Sequence, residues 1–93
     1  MITVEIPILL RQFVAGQDKI IINTTKSLSL LDVVKHLIHD HSGLRPYLIA
    51  VNEQLPNFIA FYVDNQDARY QQGHNTPVKP FTTVNIVLAM AGG

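Results

Sequence analysis

The residues of this sequence best suited to chemistry are its last two, Gly92 and Gly93. A glycine pair buries no side chain and loses more backbone entropy than other residues when it is ordered, so it adds little to a core. Such a pair can instead enter a channel too narrow for side chains. The segment Ala89, Met90, Ala91, Gly92 and Gly93, if extended, would carry the terminal carboxylate about 17 Å from a small body. The pattern is also typical of an ordinary frayed chain end, and the rest of the sequence must decide between the two.

Two other kinds of site chemistry receive little support. The chain has no cysteine, which excludes disulfides, thiolate catalysis and cysteine-ligated zinc. His36, His39 and His41 are close in sequence, and Asp40 follows His36 by four residues, a spacing that could place metal ligands on one helix face. No fourth histidine or carboxylate lies at a sequence spacing typical of a metal site, so we expect a solvated helix face and no metal site.

Length and composition limit the classes of function. With 93 residues and 47% hydrophobic content, the chain is expected to form one domain with an ordinary core and no elaborate catalytic cleft. The 7 basic and 7 acidic residues cancel, which argues against nucleic acid and anionic membranes as partners. We find no signal peptide or transmembrane run, and we therefore expect a soluble cytoplasmic protein.

Five segments have the alternation or composition of β-strands, namely residues 2–10, 19–25, 58–63, 68–70 and 83–88. In the first, Ile2, Val4, Ile6 and Ile8 share one face. Pro7 lacks an amide donor, so that end of the strand is expected near an edge or a bulge.

The clearest signal is a helix over about residues 30–41. Ser29 is a good N-cap, with Asp32 three residues later as a variant of the capping box. Gly43 offers a left-handed stop. The residues expected to face a sheet are Leu31, Val34, Leu37 and Ile38, and those expected to face solvent are Asp32, Lys35, His36, His39 and Asp40.

The order of elements is strand, strand, helix, strand, short strand, strand, which predicts an α+β fold with a mixed sheet covered by one main helix. If the first and last strands lie side by side at the centre, the fold is a β-grasp. Residues 1–88 would then form the domain, and residues 89–93 a flexible C-terminal tail.

Three residues could form a partner-binding surface beside the tail. If Val84, Ile86 and Leu88 face the core, Val87 must point outward near the start of the tail. Phe58 and Tyr62 have the parity opposite to Ile59, Phe61 and Val63 in the third long strand. Single exposed valines are common in sheets, so the simpler alternative is an ordinary outer face.

Taken together, these features resemble the MoaD/ThiS family of ubiquitin-like sulfur carriers, over nearly the full length of the chain. The residues that carry the resemblance are the helix capped by Ser29, residues 62–69, the Thr76-Pro77 loop and the last ten residues, 84–93. Residues 6–11 followed by Gly16-Gln17 are more similar to the CysO-type carriers of cysteine biosynthesis than to the small subunit of molybdopterin synthase.

The resemblance implies a specific chemistry at Gly93. In this family an E1-like enzyme uses MgATP to adenylate the terminal carboxylate, and a sulfur donor then displaces AMP to leave a thiocarboxylate. The carrier itself would not be an enzyme and would bind no cofactor stably. The CysO-like route would end at a PLP-dependent enzyme of the cysteine-synthase type.

Three alternatives remain open on the sequence. The chain could be the small subunit of molybdopterin synthase and insert into the large subunit, or a ubiquitin-like modifier that joins Gly93 to lysines of other proteins. It could also be a plain binding module with an accidental Gly-Gly. The sequence departs from the family in two places: residues 79–83, Lys-Pro-Phe-Thr-Thr, replace an acidic-glycine turn, and Leu88 replaces a proline.

Overall fold

The computed structural model describes residues 1–50, 55–56 and 58–88, and these residues form strands, helices and four short 3₁₀ segments. The strands are β1 (Ile2–Glu5), β2 (Lys19–Ile22), β3 (Leu28–Ser29), β4 (Ile59–Val63), β5 (Gln66–Asp67), β6 (Pro77–Val78) and β7 (Thr83–Leu88). The α-helices are α1 (Leu30–Asp40) and α2 (Arg45–Leu48). The 3₁₀ segments are Ile8–Val14, Ser42–Leu44, Ala68–Tyr70 and Gly73–Asn75.

The main sheet has the order β2-β1-β7-β4-β5, and β3 pairs with β6 in a separate two-stranded sheet. The two central strands, β1 and β7, run parallel, with Val4 opposite Val84. Strand β2 is antiparallel to β1, and β4 is antiparallel to β7. The first and last long strands therefore lie side by side at the centre of a mixed sheet, which confirms the predicted β-grasp.

Helix α1 covers the inner face of this sheet. Its buried residues are Leu30, Val33, Val34, Leu37 and Ile38, and they belong to one core cluster with the inward residues Ile2, Val4, Ile59, Phe61, Val84 and Ile86. The predicted buried face was partly wrong, because Leu31 is only half-buried while Leu30 and Val33 are fully buried. The apolar stripe of spacing 3 and 4 starts at the first residue of the helix, so it contains Leu30 and Val33 in addition to the predicted Val34, Leu37 and Ile38.

The predicted N-cap of α1 is confirmed. The Ser29 hydroxyl oxygen accepts a hydrogen bond from the Asp32 amide at 3.1 Å. This bond satisfies one of the amide groups that the first turn of a helix leaves without a partner. The solvent face of α1 is the predicted one, since its acidic, lysine and histidine side chains are all exposed.

The predicted left-handed stop at Gly43 is wrong. Helix α1 already ends at Asp40, and the His41 amide donates to the Leu37 carbonyl at 2.8 Å. Gly43 lies in the following 3₁₀ segment and does not have a positive φ. A Cβ at Gly43 would lie 2.8 Å from Cδ1 of Phe13, so the missing side chain makes room for a ring.

The first strand is shorter than predicted. Strand β1 ends at Glu5, and the 3₁₀ segment Ile8–Val14 follows Pro7. The Leu10 amide donates to the Pro7 carbonyl at 2.9 Å, and Arg11 Nε donates to the Ile6 carbonyl at 3.0 Å. Because Pro7 has no amide hydrogen for the ladder, the chain turns there and Ile8 leaves the sheet.

The predicted short strand at residues 68–70 is also wrong, because these residues form a 3₁₀ segment. The strand lies just before them, in β5, where Val63 pairs with Gln66. The two residues between the strands, Asp64 and Asn65, have φ values of 50° and 67°. Asp and Asn tolerate this left-handed backbone, which suits a two-residue hairpin.

Candidate functional site

Five of the predicted site residues, Ala89, Met90, Ala91, Gly92 and Gly93, lie outside the described residues. The structure does establish where the chain enters this segment. Leu88 is the last residue of β7 and pairs with Ile59 of β4. Strand β7 pairs with β1 as far as Asn85 and with β4 as far as Leu88, so β4 holds the point from which the segment starts.

The outer face of β7 carries the predicted apolar residue at this end. Val87 is 42% exposed, whereas its neighbour Ile86 is buried. Val87 is paired with Ala60 of β4, which is buried. The alternation of β7 is therefore as predicted, while the role of Val87 as a partner contact stays a prediction.

Phe58 and Tyr62 border the same area from β4. Phe58 directly precedes β4 and is 51% exposed. Tyr62 is half-buried and pairs with Asn85, two residues before Val87. We call Phe58, Ala60, Tyr62 and Val87 the tail-side patch. The patch joins an exposed aromatic ring and an exposed aliphatic side chain next to the point where residues 89–93 begin.

Two exposed apolar residues at the same end were not predicted as site residues. Ile8 is 75% exposed and Leu9 is 58% exposed. Strands β1 and β7 are parallel, so the chain that follows β1 lies at the end of the sheet where β7 terminates. Ile8 indeed lines a shallow groove together with Asn85 and Ile86. Pro7 was the available signal, because a proline that ends a strand sends the next residues out of the sheet.

A charged pair borders the tail-side patch on the side of β5. Asp67 pairs with Tyr62 across the strands, and its carboxylate accepts hydrogen bonds from Arg69 Nη2 at 2.7 Å and from the Arg69 amide at 2.9 Å. The hydrogen bond from the Arg69 side chain lowers the pKa of Asp67, and the same bond raises the pKa of Arg69. The pair holds β5 to the 3₁₀ segment Ala68–Tyr70 and gives the patch a polar border.

The histidines of α1 do not form a metal centre within the described part of the chain. His39 Nδ1 lies 3.1 Å from a carboxylate oxygen of Asp40, with both side chains largely in solvent. Among the described residues, no group of three or more histidine, cysteine, aspartate or glutamate side chains is arranged to hold an ion. The helix face therefore offers pairs of groups and no set of ligands.

The interior of the described part holds few polar side chains. The buried polar residues found there are Thr76 and Thr82. The Thr76 hydroxyl oxygen accepts a hydrogen bond from the Gln72 amide at 3.2 Å, so it stabilises a turn.

Among the described residues, no helix has the length and apolar content that crossing a bilayer requires.

Comparison with known proteins places these features in a family. The sequence pattern of the ThiS family matches residues 5–93. The sulfur carrier protein CysO of Mycobacterium bovis is 30% identical over 94 aligned residues, which cover 99% of this chain and 98% of that protein.

Two solved structures show the same fold over the whole chain. A chain of the BexX/CysO complex of Amycolatopsis orientalis superposes with a TM-score of 0.87 at 30% identity, with complete coverage of both chains. SAMP1 of Haloferax volcanii superposes with a TM-score of 0.82 at 13% identity and covers 99% of this chain and 98% of its own. At that identity the second likeness concerns the fold alone.

Proposed function

The chain belongs to the ThiS family, and from this premise we propose that it is a sulfur carrier whose own Gly93 carboxylate is the reactive group. The observation that carries the proposal is the match of residues 5–93, which runs through the Gly-Gly end, together with 30% identity to CysO sulfur carriers. The carrier supplies no catalytic side chain in this proposal. The chemistry belongs to the enzymes that receive its terminus.

The proposed activation begins with an E1-like enzyme and MgATP. A carboxylate oxygen of Gly93 attacks the α-phosphorus of ATP, pyrophosphate leaves, and an acyl-adenylate forms. Hydrosulfide then attacks the carbonyl carbon, AMP leaves, and loss of the sulfur-bound proton leaves a thiocarboxylate on Gly93. An acyl-adenylate hydrolyses readily, so the enzyme must keep water away from it. A narrow channel does this, and only residues without side chains pass through it easily.

The position of β7 supports this use of the chain end. The strand is central and paired on both sides, so the body of the carrier can bind an enzyme without disturbing the start of residues 89–93. The tail-side patch lies beside that starting point, with Phe58 and Val87 about half exposed. Exposed apolar side chains around the entry point are suited to anchor a partner, because their burial on binding is favourable.

We propose cysteine, or a closely related sulfur metabolite, as the destination of the sulfur. The support is the whole-length similarity to proteins named as CysO sulfur carriers. The accepting partner would then be a PLP-dependent enzyme of the cysteine-synthase type, in which the thiocarboxylate sulfur is the nucleophile. The BexX/CysO complex shows such a relative bound to another protein, which supports protein docking as the mode of delivery.

Intact mass spectrometry tests the proposal directly. The full chain is incubated with an E1-like activating enzyme from the same cell, MgATP and sulfide. We expect the mass to rise by the difference between one sulfur and one oxygen atom, with the change located at Gly93 after proteolysis. The control is the chain extended by one alanine after Gly93, which should keep its mass.

Four outcomes would count against the proposal or its cysteine destination. An unchanged mass for the native chain, or equal modification of the extended control, would refute the terminal chemistry. Conversion into lysine conjugates without a thiocarboxylate would identify a ubiquitin-like modifier. Sulfur transfer to a pterin precursor in the presence of a molybdopterin synthase large subunit, with no transfer by a PLP enzyme, would refute the cysteine destination while leaving the carrier role intact.

A further inference from the structure

Phe81 occupies an unfavourable position in the turn that precedes β7. The Thr82 amide donates to the Lys79 carbonyl at 3.2 Å, which closes a four-residue turn with Pro80 and Phe81 at its centre. Phe81 has a φ of 68°. In a turn with proline second and a positive φ third, glycine is the favoured third residue, and a bulky side chain there is a conformational outlier. The fold therefore carries strain at Phe81.

The Phe81 ring contributes little to the stability of the fold, since the residue is 86% exposed. Strained backbone clusters at functional sites, where the surrounding structure maintains it. At Phe81 the strained residue carries a large apolar ring that is exposed to solvent. An aromatic ring kept in this way is better explained by contact with another molecule than by stability.

The surroundings of Phe81 form a shallow groove. The residues that line it are Met1, Asn23, Thr24, Thr25, Lys26 and Phe81. Met1 is 48% exposed. Its carbonyl oxygen accepts a hydrogen bond from the Phe81 amide, which fixes the turn against the start of β1. The lining thus combines the exposed apolar side chains of Met1 and Phe81 with the polar residues 23–26. We call these six residues the Phe81 groove.

The charge around the groove has one sign. Lys26 is the only ionisable side chain in the lining, and Lys79 lies in the same turn as Phe81. The Asp64 carboxylate accepts a hydrogen bond from the Thr83 amide at 3.4 Å, and it does not line the groove. An anionic group combined with a large apolar side chain would therefore match both features of the surface.

We propose that the Phe81 groove binds a short acidic segment of a partner protein that carries one large apolar side chain. Two lysines and one ring are too little for a nucleic-acid site, which needs a run of phosphate contacts along a strand. The groove also lies at the opposite end of β7 from residues 89–93, at a distance of about 17 Å along the strand. The groove is also separate from the tail-side patch, so the inference goes beyond the proposed function and does not depend on it.

A titration of the ¹⁵N-labelled full chain followed by NMR tests the proposal. The probes are the acidic peptide acetyl-Asp-Glu-Leu-Asp-Glu-amide, the basic peptide acetyl-Lys-Lys-Leu-Lys-Lys-amide and single-stranded oligothymidylate. We expect the acidic peptide alone to give saturable shifts, confined to residues 23–26 and 79–82. Peptide concentrations should reach about 10 mM, because so small a contact is expected to have a dissociation constant of roughly 1 mM.

Matched variants connect binding to the two features of the groove. Phe81→Gly should weaken binding of the acidic peptide about fivefold, because one aromatic contact is lost. Its melting temperature should not fall, because glycine relieves the strained φ, so lost binding cannot be ascribed to unfolding. Lys26→Glu should weaken binding by about the same factor or more. Tyr70→Ala removes an aromatic residue that is 85% exposed and lies outside the groove, and it should leave the affinity within about twofold.

Several results would overturn the proposal. These are the absence of saturable shifts with the acidic peptide, equal binding of the basic peptide, or unchanged affinity in Phe81→Gly. Tighter binding of oligothymidylate, lost in the same variant, would replace a protein segment by a nucleic acid as the ligand. None of these results would bear on thiocarboxylate formation at Gly93, which mass spectrometry reads separately.

Discussion

The presence or absence of one side chain is decisive for packing or proposed function at three positions, Gly43, Gly92 and Phe81. At Gly43 an added Cβ would meet the ring of Phe13 at 2.8 Å, so the glycine is required by space and not by backbone conformation. At Gly92 the proposed requirement is also space, inside the channel of an activating enzyme. At Phe81 the relation is reversed, because a side chain is kept where glycine would be more stable.

Gly92→Ala is expected to abolish adenylation of Gly93 without changing the fold, because the added methyl group must pass a channel fitted to backbone. The measurement is pyrophosphate release by the activating enzyme, together with a thermal melt of the variant. Ala91→Gly, which removes a side chain from the same segment, should retain activity. Full activity of Gly92→Ala would refute the narrow-channel argument.

Asp67 makes the stability of the chain depend on acid pH. The Arg69 hydrogen bond holds the folded-state pKa of Asp67 below its ordinary value of 3.8. A depressed pKa stabilises the folded state above the ordinary value, and this contribution is lost as the pH falls through the folded-state pKa. The effect is expected to be small, since the Arg69 side chain is 54% exposed to solvent.

Arg69→Gln should therefore be less stable than the native chain near neutral pH, and the difference should shrink below pH 3.8. Urea midpoints measured across this range provide the test. Lys35→Gln, which removes an exposed cation from α1, should give a curve parallel to that of the native chain. A constant difference between Arg69→Gln and the native chain at all pH values would contradict the account.

Among the elements, the 3₁₀ segment Ile8–Val14 departs most from expectation and has two consequences. It brings Ile8 and Leu9 to the surface at the end of the sheet where β7 terminates. At its other end it places Phe13 against Tyr47 of α2, with ring centroids 5.1 Å apart and tilted by 34°. The segment thus ties the start of the chain to the region that follows α1.

Gly43→Ala should weaken the contact between Phe13 of the Ile8–Val14 segment and Tyr47 of α2. The new methyl group would displace the Phe13 ring from Tyr47, and overpacking of this kind costs about 1–3 kcal/mol of unfolding free energy. Chemical denaturation of Gly43→Ala, Phe13→Ala and the double variant measures the coupling between the two sites. We expect the Gly43→Ala penalty to shrink when Phe13 is already alanine, whereas strictly additive penalties would exclude a steric cause.

Across the whole molecule, β7 separates two surfaces of different proposed use. Its C-terminal end carries the tail-side patch, where an activating or accepting enzyme would bind. Its N-terminal end follows the turn that holds Phe81. Since a strand of six residues spans about 17 Å, one protein could bind the tail-side patch while a second binds the Phe81 groove.

Val87→Asp should lower kcat/KM for adenylation at least about tenfold, because a carboxylate would be desolvated in the centre of the docking surface. The free energy of unfolding should change by less than about 1 kcal/mol, as the residue is exposed on a strand. Ile21→Asp is the matched control: Ile21 is 45% exposed, and it pairs with Thr3 at the opposite end of the same outer face. Equal losses in both variants would indicate a general charge effect and not a docking surface.

Features that depend only on neighbouring residues could be predicted without the structure. The cap at Ser29 and the alternation of β7 need only local hydrogen bonds and a period of two, and both are found as predicted. The exposure of Val87 follows from that alternation. The Gly92-Gly93 pair is a property of the sequence alone and carries most of the proposed function.

The points where periodic signals stop, and the surfaces that meet, depend on packing between distant parts of the chain. The alternation of residues 2–8 fits a strand up to Ile8, but the hydrogen bonds of Ile6 with Asp18 and Arg11 turn the chain at Pro7. The closeness of Gly43 to Phe13 and of Phe81 to Lys26 involves residues far apart in sequence. A local pattern records which side chains can be buried, whereas packing against distant elements decides which of them are buried, which are exposed and which are held under strain.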